Sequence, residues 1–456
     1  MTSAFPKFSG WVFFLGLFIG SIILATETRL PWTVVSGGAA TIGLFFLFHA
    51  QPLFLLSGLI ILRMSLDYSA QFVKFDLLGF TVTLSQAMGI LIALLGLILL
   101  IKKRSAIRDF PLLLPYGLVA LWGFGTLSYT LSPWSTMYEL VRIFDLFVIG
   151  FFAYVSIHDI RDFRRLLFAI FIAGLLPILF GIFQFIFNIG LNDEHVSIPR
   201  IFGTFSHPNV FSLFLMTEIA LASTYLLTLT EKKSERFLLL AFLGLFSLAL
   251  LLTYARIAWI ALFLFGILIA LFRYRILLVP IIFMPLVLLA FSPTIQERIV
   301  ESLHPTPDSS ITWRQNLWHD LILKTNIEDR TGIGYGMDTF RLVSESLRGT
   351  RFGSNESHND FVKFYVEGGM VGLLVYLAYL GSFFYILRRA YRESGRDRLL
   401  RTTVLFLSFL FIVLTVASYS DNVFKNTPVQ WLLAAVLGGL FVLTQQKEHP
   451  GRMLKQ

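Results

Sequence analysis

The chain has 456 residues, of which 56% are hydrophobic and only 14% are charged, and its formal net charge is +9. This composition excludes a soluble globular protein, because a folded domain of this length could not bury so much apolar surface. The chain contains no cysteine, which excludes disulfides, thiol catalysis and cysteine-ligated metals.

Apolar stretches long enough to cross a bilayer recur along the whole sequence. We predict an all-α polytopic membrane protein with roughly 12–14 transmembrane helices and one large external (periplasmic) helical loop. The range reflects the second and third stretches, which are short or broken by glycine and could form a shallow hairpin instead. The predicted spans are 10–25, 33–49, 52–65, 83–101, 112–130, 138–157, 166–188, 208–229, 237–254, 257–272, 276–292, 361–387, 401–419 and 428–444.

Lys and Arg residues cluster in short loops that alternate along the predicted spans. These clusters, called the basic loops below, are 102–108, 161–165, 232–236, 273–275 and 388–401. Short loops rich in Lys and Arg stay on the cytoplasmic side of a membrane. The basic loops all fall on one side, which also carries both termini, and we predict that this side is cytoplasmic. The net positive charge therefore indicates membrane topology, and nucleic acid is not an expected partner.

The opposite side carries the loops that could hold chemistry. These loops, called the outer loops below, include 189–207, 253–257, 293–360 and 420–427. Apolar positions recur at helical spacing around 311–325, so the long outer loop is predicted to form a small subdomain of two or three amphipathic helices.

Domain boundaries follow from these loops. We predict N-terminal transmembrane helices over 1–190, a catalytic transmembrane region over 191–444 that includes the external loop 293–360, and a cytoplasmic tail over 445–456. The glycines of Gly332–Gly336 are interpreted as a turn rather than a nucleotide-binding loop, because no strand pattern precedes them.

His358 is the main candidate for a catalytic base. It stands where the long outer loop meets the next span, at the edge of the bilayer and next to water. An imidazole can take a proton from a hydroxyl nucleophile near neutral pH. The alternative is a histidine that only caps a helix or anchors the interface. His207 is a weaker candidate, because it precedes Pro208, which restricts its backbone, and it could simply shape its loop.

Arg200 and Arg256 are the candidate anion-binding residues. Both are predicted at the outer rim of the membrane, Arg200 in a loop that leads into a span and Arg256 in a turn that leaves almost no loop. A guanidinium stays protonated and presents a rigid fork of donors that suits phosphate oxygens, so two of them could hold a diphosphate. The alternative is that each anchors the interface by snorkelling.

Three further residues are candidates for supporting roles. Asn359 follows His358 directly, and Asp421 lies on the same outer side, where it could orient a histidine or the arginines. Glu367 falls inside an apolar zone four residues after Lys363, and this spacing predicts an ion pair along one helix face. The carboxylates do not form an Asp-x-Asp cluster, so we predict neither a metal site nor a cofactor.

Several motifs resemble one family of membrane enzymes. His358-Asn359, followed after nine residues by Gly369-x-x-Gly372, resembles the signature of bacterial O-antigen ligases. Other segments are similar to the wider O-antigen ligase and polymerase superfamily: the Arg200…His207-Pro208-Asn209 loop, the Arg256 turn, and Arg314…Trp318…Gly332-Ile333-Gly334. The resemblance covers about residues 195–375, and the N-terminal spans share only their hydrophobic character.

The resemblance implies an inverting, metal-independent glycosyltransferase at the outer face of the inner (cytoplasmic) membrane. The implied donor is a glycan on undecaprenyl diphosphate. Arg200 and Arg256 would bind the diphosphate, and His358 would deprotonate the acceptor hydroxyl. The expected partners are this donor, membrane lipids and a lipid-borne acceptor.

The acceptor remains open at this point. A ligase passes the glycan to lipid A-core, whereas an O-antigen or exopolysaccharide polymerase passes it to a second lipid-linked glycan. The superfamily also includes protein O-oligosaccharyltransferases. A polysaccharide transporter or flippase is the alternative from another class, but such proteins commonly show paired halves, and this sequence shows none.

Overall fold

The computed structural model describes residues 47–448 except 49, 72–73, 78–79, 194–195, 307–308 and 350–354. The predicted span 10–25 and most of 33–49 therefore lie outside the described residues. The chain divides into two compact units, Met1–Leu59 and Ile60–Gln456. The first unit contains the start of the first described helix. The second unit contains every candidate site residue.

Helices make up most of the described chain, in positions close to the predicted spans. They are α1 (Pro52–Leu66), α2 (Leu84–Lys102), α3 (Arg104–Ile107), α4 (Leu113–Thr126), α5 (Pro133–Ser156), α6 (Ile160–Ile186), α7 (Pro208–Thr228), α8 (Lys233–Leu252), α9 (Arg256–Phe272), α10 (Leu278–Phe291), α11 (Pro293–Leu303), α12 (Ser310–Ile327), α13 (Phe340–Arg348), α14 (Asp360–Glu393), α15 (Arg398–Ala417) and α16 (Thr427–Glu448).

Eight helices of the described chain are long and apolar enough to cross a membrane: α1, α2, α6, α7, α8, α14, α15 and α16. Shorter apolar helical segments run over Leu113–Thr126, Arg256–Phe272 and Arg275–Val287. Large apolar side chains such as Leu121 and Phe237 are about three-quarters exposed, at 73% and 76%. Such surfaces are stable against lipid tails and not against water. The prediction of a helical, polytopic membrane protein is confirmed.

Two short β-hairpins interrupt the helical pattern and were not part of the all-α prediction. Strand β1 (Lys74–Leu77) pairs with β2 (Phe80–Thr83), and β3 (Leu191–Asp193) pairs with β4 (Val196–Arg200), both antiparallel. Strands of three to five residues are too short to produce a period that stands out in so apolar a chain. The second hairpin matters for the site, because β4 ends at Arg200.

Three of the basic loops, 161–165, 232–236 and 273–275, are linked by contacts of residues in or near them. Arg164 at the start of α6 pairs with Glu231 between α7 and α8, at 2.7 Å. The Tyr274 hydroxyl, after α9, donates to the carbonyl oxygen of Leu227 at 3.2 Å. These contacts bring together three of the five loops that the charge pattern assigns to one side.

The long outer loop contains three helices, α11, α12 and α13, where the sequence predicted two or three; α12 and α13 share a small core and are called the external subdomain below. This core is made by side chains from α12, α13, the turn between them and the start of α14. These buried residues are Leu317, Leu321, Tyr335, Phe340, Val343 and Val366. Because Val366 belongs to α14, the subdomain is packed on the same helix that follows His358.

The turn Gly332–Gly336 of the external subdomain packs against a kink in α14 at Gly369. At Gly369 the backbone takes φ 57° and ψ −147°, which a residue with a side chain rarely adopts. The Met370 amide donates to the Thr331 carbonyl at 2.7 Å, and the Gly336 amide donates to the Glu367 carbonyl at 2.7 Å. The segment Gly332–Gly336 is thus the predicted turn, and it fixes the subdomain to α14.

Candidate active site

His358 and Asp421 form a buried pair, His358 just before the start of α14 and Asp421 just after the end of α15. The distance from His358 Nδ1 to Asp421 Oδ1 is 3.3 Å, although the residues are 63 positions apart in the chain. The two segments that carry them are cross-linked by the Asp360 amide, which donates to the Ser418 carbonyl at 2.8 Å. The Ser357 hydroxyl also donates to the Asn422 side chain. The histidine and the carboxylate are therefore held by their neighbours on both sides.

The backbone of His358 is in an unusual conformation. Its φ of 45° lies in the left-handed region, where a non-glycine residue needs support from its surroundings. Asn359 supplies part of that support, because its Oδ1 accepts the Val362 amide at 3.1 Å and caps α14. The helix-capping role considered for His358 thus belongs to Asn359.

Asp421 is surrounded by groups that favour its charged form. Burial alone would raise its pKa, but the hydrogen bond and charge of His358, the charge of Arg314 and the Asn422 amide together lower it to about 2. The carboxylate is therefore ionised at physiological pH. Its Oδ2 atom is buried and has no hydrogen-bond partner within the part of the chain that the structure describes.

His207 brings a second imidazole to the same place. Its ring centroid is 6.4 Å from that of His358. Its Nδ1 accepts the Asn209 amide at 3.1 Å, which caps α7. Burial, followed by the charge of Arg200, lowers the pKa of His207 to about 4. His207 is therefore neutral at physiological pH, and it both shapes its loop and lines the site.

Arg200 joins three outer segments. Its Nε donates to the Thr253 carbonyl at 2.8 Å, and its Nη2 donates to Asn209 Oδ1 at 2.9 Å. The hairpin presents it here because Gly190 lies against its backbone: a Cβ on Gly190 would be 2.6 Å from the Arg200 carbonyl oxygen. Arg200 thus contacts the start of α7 and the turn that leads to Arg256.

Arg256 is the first residue of α9 and points toward the external subdomain. Its Nη1 donates to the Ser302 hydroxyl at 3.0 Å, and its Nη2 donates to the Ser310 hydroxyl at 3.2 Å. Glu301 Oε2 lies 3.2 Å from Nη1, and the Arg256 side chain remains 20% exposed. A guanidinium held by two hydroxyls and a carboxylate is placed among acceptors that phosphate oxygens can replace.

Glu367 lies in an ion network beside the site. It pairs with Lys363, as the four-residue spacing predicted, and its Oε1 accepts the Phe340 amide at 3.2 Å. Lys425 donates to Asp338 Oδ1 at 2.8 Å, and Lys363 is 3.7 Å from the same oxygen. These contacts hold the loop before α13 against α14, so Glu367 supports the framework of the site.

Arg314 and Trp318 reach the site without having been chosen as candidates from the sequence. Arg314 Nη1 donates to the Ser420 carbonyl at 3.1 Å, next to Asp421. Trp318 Nε1 donates to the Ser357 carbonyl at 2.6 Å, next to His358. Two signals were available in the sequence: their four-residue spacing on one predicted amphipathic helix, and their place in the Arg314…Trp318 motif of the resemblance. Among the described residues, no group of three or more His, Asp or Glu side chains could hold a metal ion.

Residues 239–377 match the family model described as O-Antigen ligase. The resemblance to the O-antigen ligase and polymerase superfamily is thereby confirmed. The match supports an enzyme of ligase or polymerase type that acts on lipid-linked glycans at a membrane. It contains Arg256, Arg314 and His358, whereas Arg200 and His207 precede it and Asp421 follows it. No curated protein sequence matches the chain.

Proposed function

We propose that this protein transfers a glycan from undecaprenyl diphosphate to an acceptor hydroxyl, without a metal ion and with inversion at the anomeric carbon. The observation that carries the proposal is the buried His358–Asp421 pair, which lies beside His207 and within reach of the charges of Arg200 and Arg314. A base next to fixed positive charge suits a reaction in which a hydroxyl attacks and a diphosphate leaves.

The base in this proposal is His358 Nε2. Asp421 is ionised because its pKa is about 2, so it can accept a hydrogen bond from Nδ1–H of the imidazole. That tautomer leaves the lone pair on Nε2. As the acceptor oxygen forms its bond to the anomeric carbon, the hydroxyl proton passes to Nε2, and Asp421 stabilises the resulting imidazolium.

The leaving group in this proposal is bound by Arg200 and Arg256. The bond between the anomeric carbon and the phosphate oxygen breaks, and its electron pair stays with undecaprenyl diphosphate. Guanidinium groups already in place at the start of the reaction stabilise this charge without reorganising. The hydrogen bond from Arg200 to the Thr253 carbonyl holds it against the turn that carries Arg256.

The proposed location is the inner membrane, with the site toward the periplasm and both termini in the cytoplasm. Three of the basic loops are joined by contacts such as Arg164–Glu231. His358, Asp421, Arg200 and Arg256 lie at the opposite ends of the helices that the basic loops connect. The preference of Lys and Arg for the cytoplasmic side then assigns the site to the outside.

The preferred acceptor is lipid A-core, which makes the protein an O-antigen ligase. The choice of a ligase is supported by the His358-Asn359 motif with Gly369 and Gly372. Polymerization of lipid-linked repeats is the second candidate, because the family match supports ligases and polymerases alike.

The test is reconstitution of the purified protein with a glycan on undecaprenyl diphosphate, offered lipid A-core and a second lipid-linked glycan together. A single addition to lipid A-core is expected, also with a chelator present. A ladder of lipid-linked products would identify a polymerase. Movement of the intact donor between leaflets with no new glycosidic bond would contradict glycosyl transfer and favour a transporter.

A further inference from the structure

One face of α12 contacts three separate parts of the site. Ser310, Arg314 and Trp318 are spaced four residues apart, so they lie on one face of the helix, about 6 Å apart along its axis. Ser310 accepts a hydrogen bond from Arg256, Arg314 donates to the segment of Asp421, and Trp318 donates to the segment of His358.

The two donors of this face bind the main chain directly before the two members of the pair. Trp318 Nε1 reaches the carbonyl of Ser357, and Arg314 Nη1 reaches the carbonyl of Ser420. The Trp318 ring also packs on Tyr419, with centroids 6.1 Å apart. Because both bonds end on backbone carbonyls, they fix where each segment lies and leave the reacting side chains unobstructed.

The pair needs such fixing for two reasons. His358 holds a left-handed backbone conformation that the surrounding contacts must maintain. The 3.3 Å between Nδ1 and Oδ1 is already at the long end of hydrogen-bond distances, so a small shift of either segment would break the contact. A misplacement of about 1 Å can lower a rate by about 100-fold.

We infer that Arg314 and Trp318 are positioning residues that hold His358 and Asp421 at the distance and orientation that proton transfer needs. Ser310, on the same helix, holds the Arg256 side chain by a hydrogen bond. This inference rests on the proposed function. Through these three side chains, α12 contacts the segments that carry His358 and Asp421 and the side chain of Arg256. These residues come from three distant parts of the chain, and contacts with one helix fix their relative positions.

The first test replaces Trp318 by Phe, which keeps an aromatic ring and removes the N–H donor. Trp313→Phe is the matched control: Trp313 lies on the same helix, packs against the subdomain core, and its Nε1 has no hydrogen-bond partner in the described chain. We expect Trp318→Phe to lower kcat at least about tenfold with donor KM unchanged, and Trp313→Phe to stay within about twofold.

A pH profile separates positioning from a general structural role. If Asp421 no longer faces His358 correctly, the imidazolium loses electrostatic support, and the acid limb of the kcat profile should move to lower pH in Trp318→Phe. The charged and titratable groups around the pair, besides Asp421 itself, are Asp360, His207, Arg200 and Arg314, and all remain in both Trp variants. An unmoved acid limb, or equal kcat in the two variants, would overturn the inference.

Arg314 provides a second test that does not depend on the Trp318 variant folding. Arg314→Met should lower kcat by about tenfold or more, and Arg314→Lys should recover part of it, because a lysine retains one charged donor toward Ser420. Equal kcat for Met, Lys and wild type would overturn the inference. Transfer by His358→Ala would instead refute the proposed function, whereas an inactive His358→Ala with an unimpaired Trp318→Phe would refute the positioning role alone.

Discussion

The basic loops and the outer loops use charge in opposite ways. In the basic loops, each ion pair leaves one partner largely in solvent, and most pairs join near neighbours: Arg165 pairs with Asp162 three positions away and is 73% exposed. Even the nonlocal pair of Arg164 leaves Glu231 68% exposed. Around the candidate site, polar groups of the outer loops are buried or part-buried and joined across long stretches of chain, 63 positions between His358 and Asp421 and 106 between Arg314 and Ser420.

Charged residues of the basic loops are expected to set the orientation of the helices in the membrane, whereas charged residues at the candidate site fix the positions of neighbouring side chains. An exposed pair contributes little free energy, whereas a buried charged group that loses its partner is costly. The basic loops therefore need only enough Lys and Arg on the correct side. The outer loops need particular atoms at particular distances, and substitutions there should have much larger effects than the same substitutions in the basic loops.

The largest expected effect comes from His358→Ala. Removing a general base costs about 10²- to 10⁴-fold in rate, so we expect transfer to fall by about 10³-fold or more while the protein still accumulates in the membrane. The matched control is His319→Ala in the same subdomain, where the side chain is 75% exposed. Transfer from a purified lipid-linked donor is the measurement. Wild-type turnover by His358→Ala would remove this residue from the mechanism.

The next largest effect should follow Arg256→Lys. A lysine keeps the charge but lacks the planar fork that now spans Ser302 and Ser310, so kcat/KM for the donor should fall about 10- to 100-fold. The control is Arg165→Lys, the same change in a basic loop, which should leave kcat/KM within about twofold. If kcat/KM for the donor changed equally in the two variants, the proposed role of Arg256 and the proposed difference between the basic and outer loops would both be wrong.

Asp421→Asn tests the charge behind the base. The pKa of Asp421, about 2, is below the ordinary value near 4, so the ionised group stabilises the fold above pH 4 and this contribution is lost only as the pH falls toward 2. Between pH 5 and 8 the carboxylate stays charged, and we expect Asp421→Asn to lower kcat across that whole range, by about tenfold or more.

Asp320→Asn is the control for that variant, because Asp320 lies in the external subdomain with its side chain 42% exposed. Its kcat should be close to wild type at every pH. A wild-type rate for Asp421→Asn near pH 7 would show that the carboxylate does not assist His358.

Local features were predictable from the sequence and distant contacts were not. Helical spacing around 311–325 predicted α12, and the spacing of Lys363 and Glu367 predicted their ion pair. Both depend on neighbours within one helix. The pairing of His358 with Asp421 depends on how α14 and α15 meet, and no periodicity carries that information. Sequence placed both residues on the outer side, and only the fold brought them to 3.3 Å.

The hairpin before Arg200 shows the same limit at shorter range. The position of Arg200 depends on pairing in which Leu191 faces Arg200, and on Gly190 lying against the Arg200 backbone. A sequence motif indicated that this arginine matters but could not indicate that it binds Thr253 and Asn209. Arg314 likewise belongs to a motif of the resemblance, but its contact with Ser420 depends on how the external subdomain packs.

Gly369→Ala tests the framework of the outer loops rather than their chemistry. A Cβ at Gly369 would lie 2.4 Å from the Thr331 carbonyl oxygen, and φ is 57°, so we expect a loss of about 1–3 kcal/mol in stability and displacement of the turn. Gly381→Ala, on the same helix with nothing within 4 Å, is the control and should be neutral or slightly stabilising. Thermal unfolding in detergent compares them, and equal midpoints would show that the turn does not depend on the kink.

The smallest effect is expected for Arg165→Ala, which removes a charge from a basic loop. Within the part of the chain that the structure describes, Arg165 pairs with Asp162, one turn away on the same helix, and its side chain is mostly in solvent. Such a pair contributes at most about 0.5 kcal/mol, and salt screens it. Stability and transfer should therefore match wild type at both low and high ionic strength, because the remaining basic residues still set the orientation. If Arg165→Ala lowered transfer as much as Arg314→Met, the basic loops would also help to position the site residues. The proposed distinction between the two sets of loops would then be wrong.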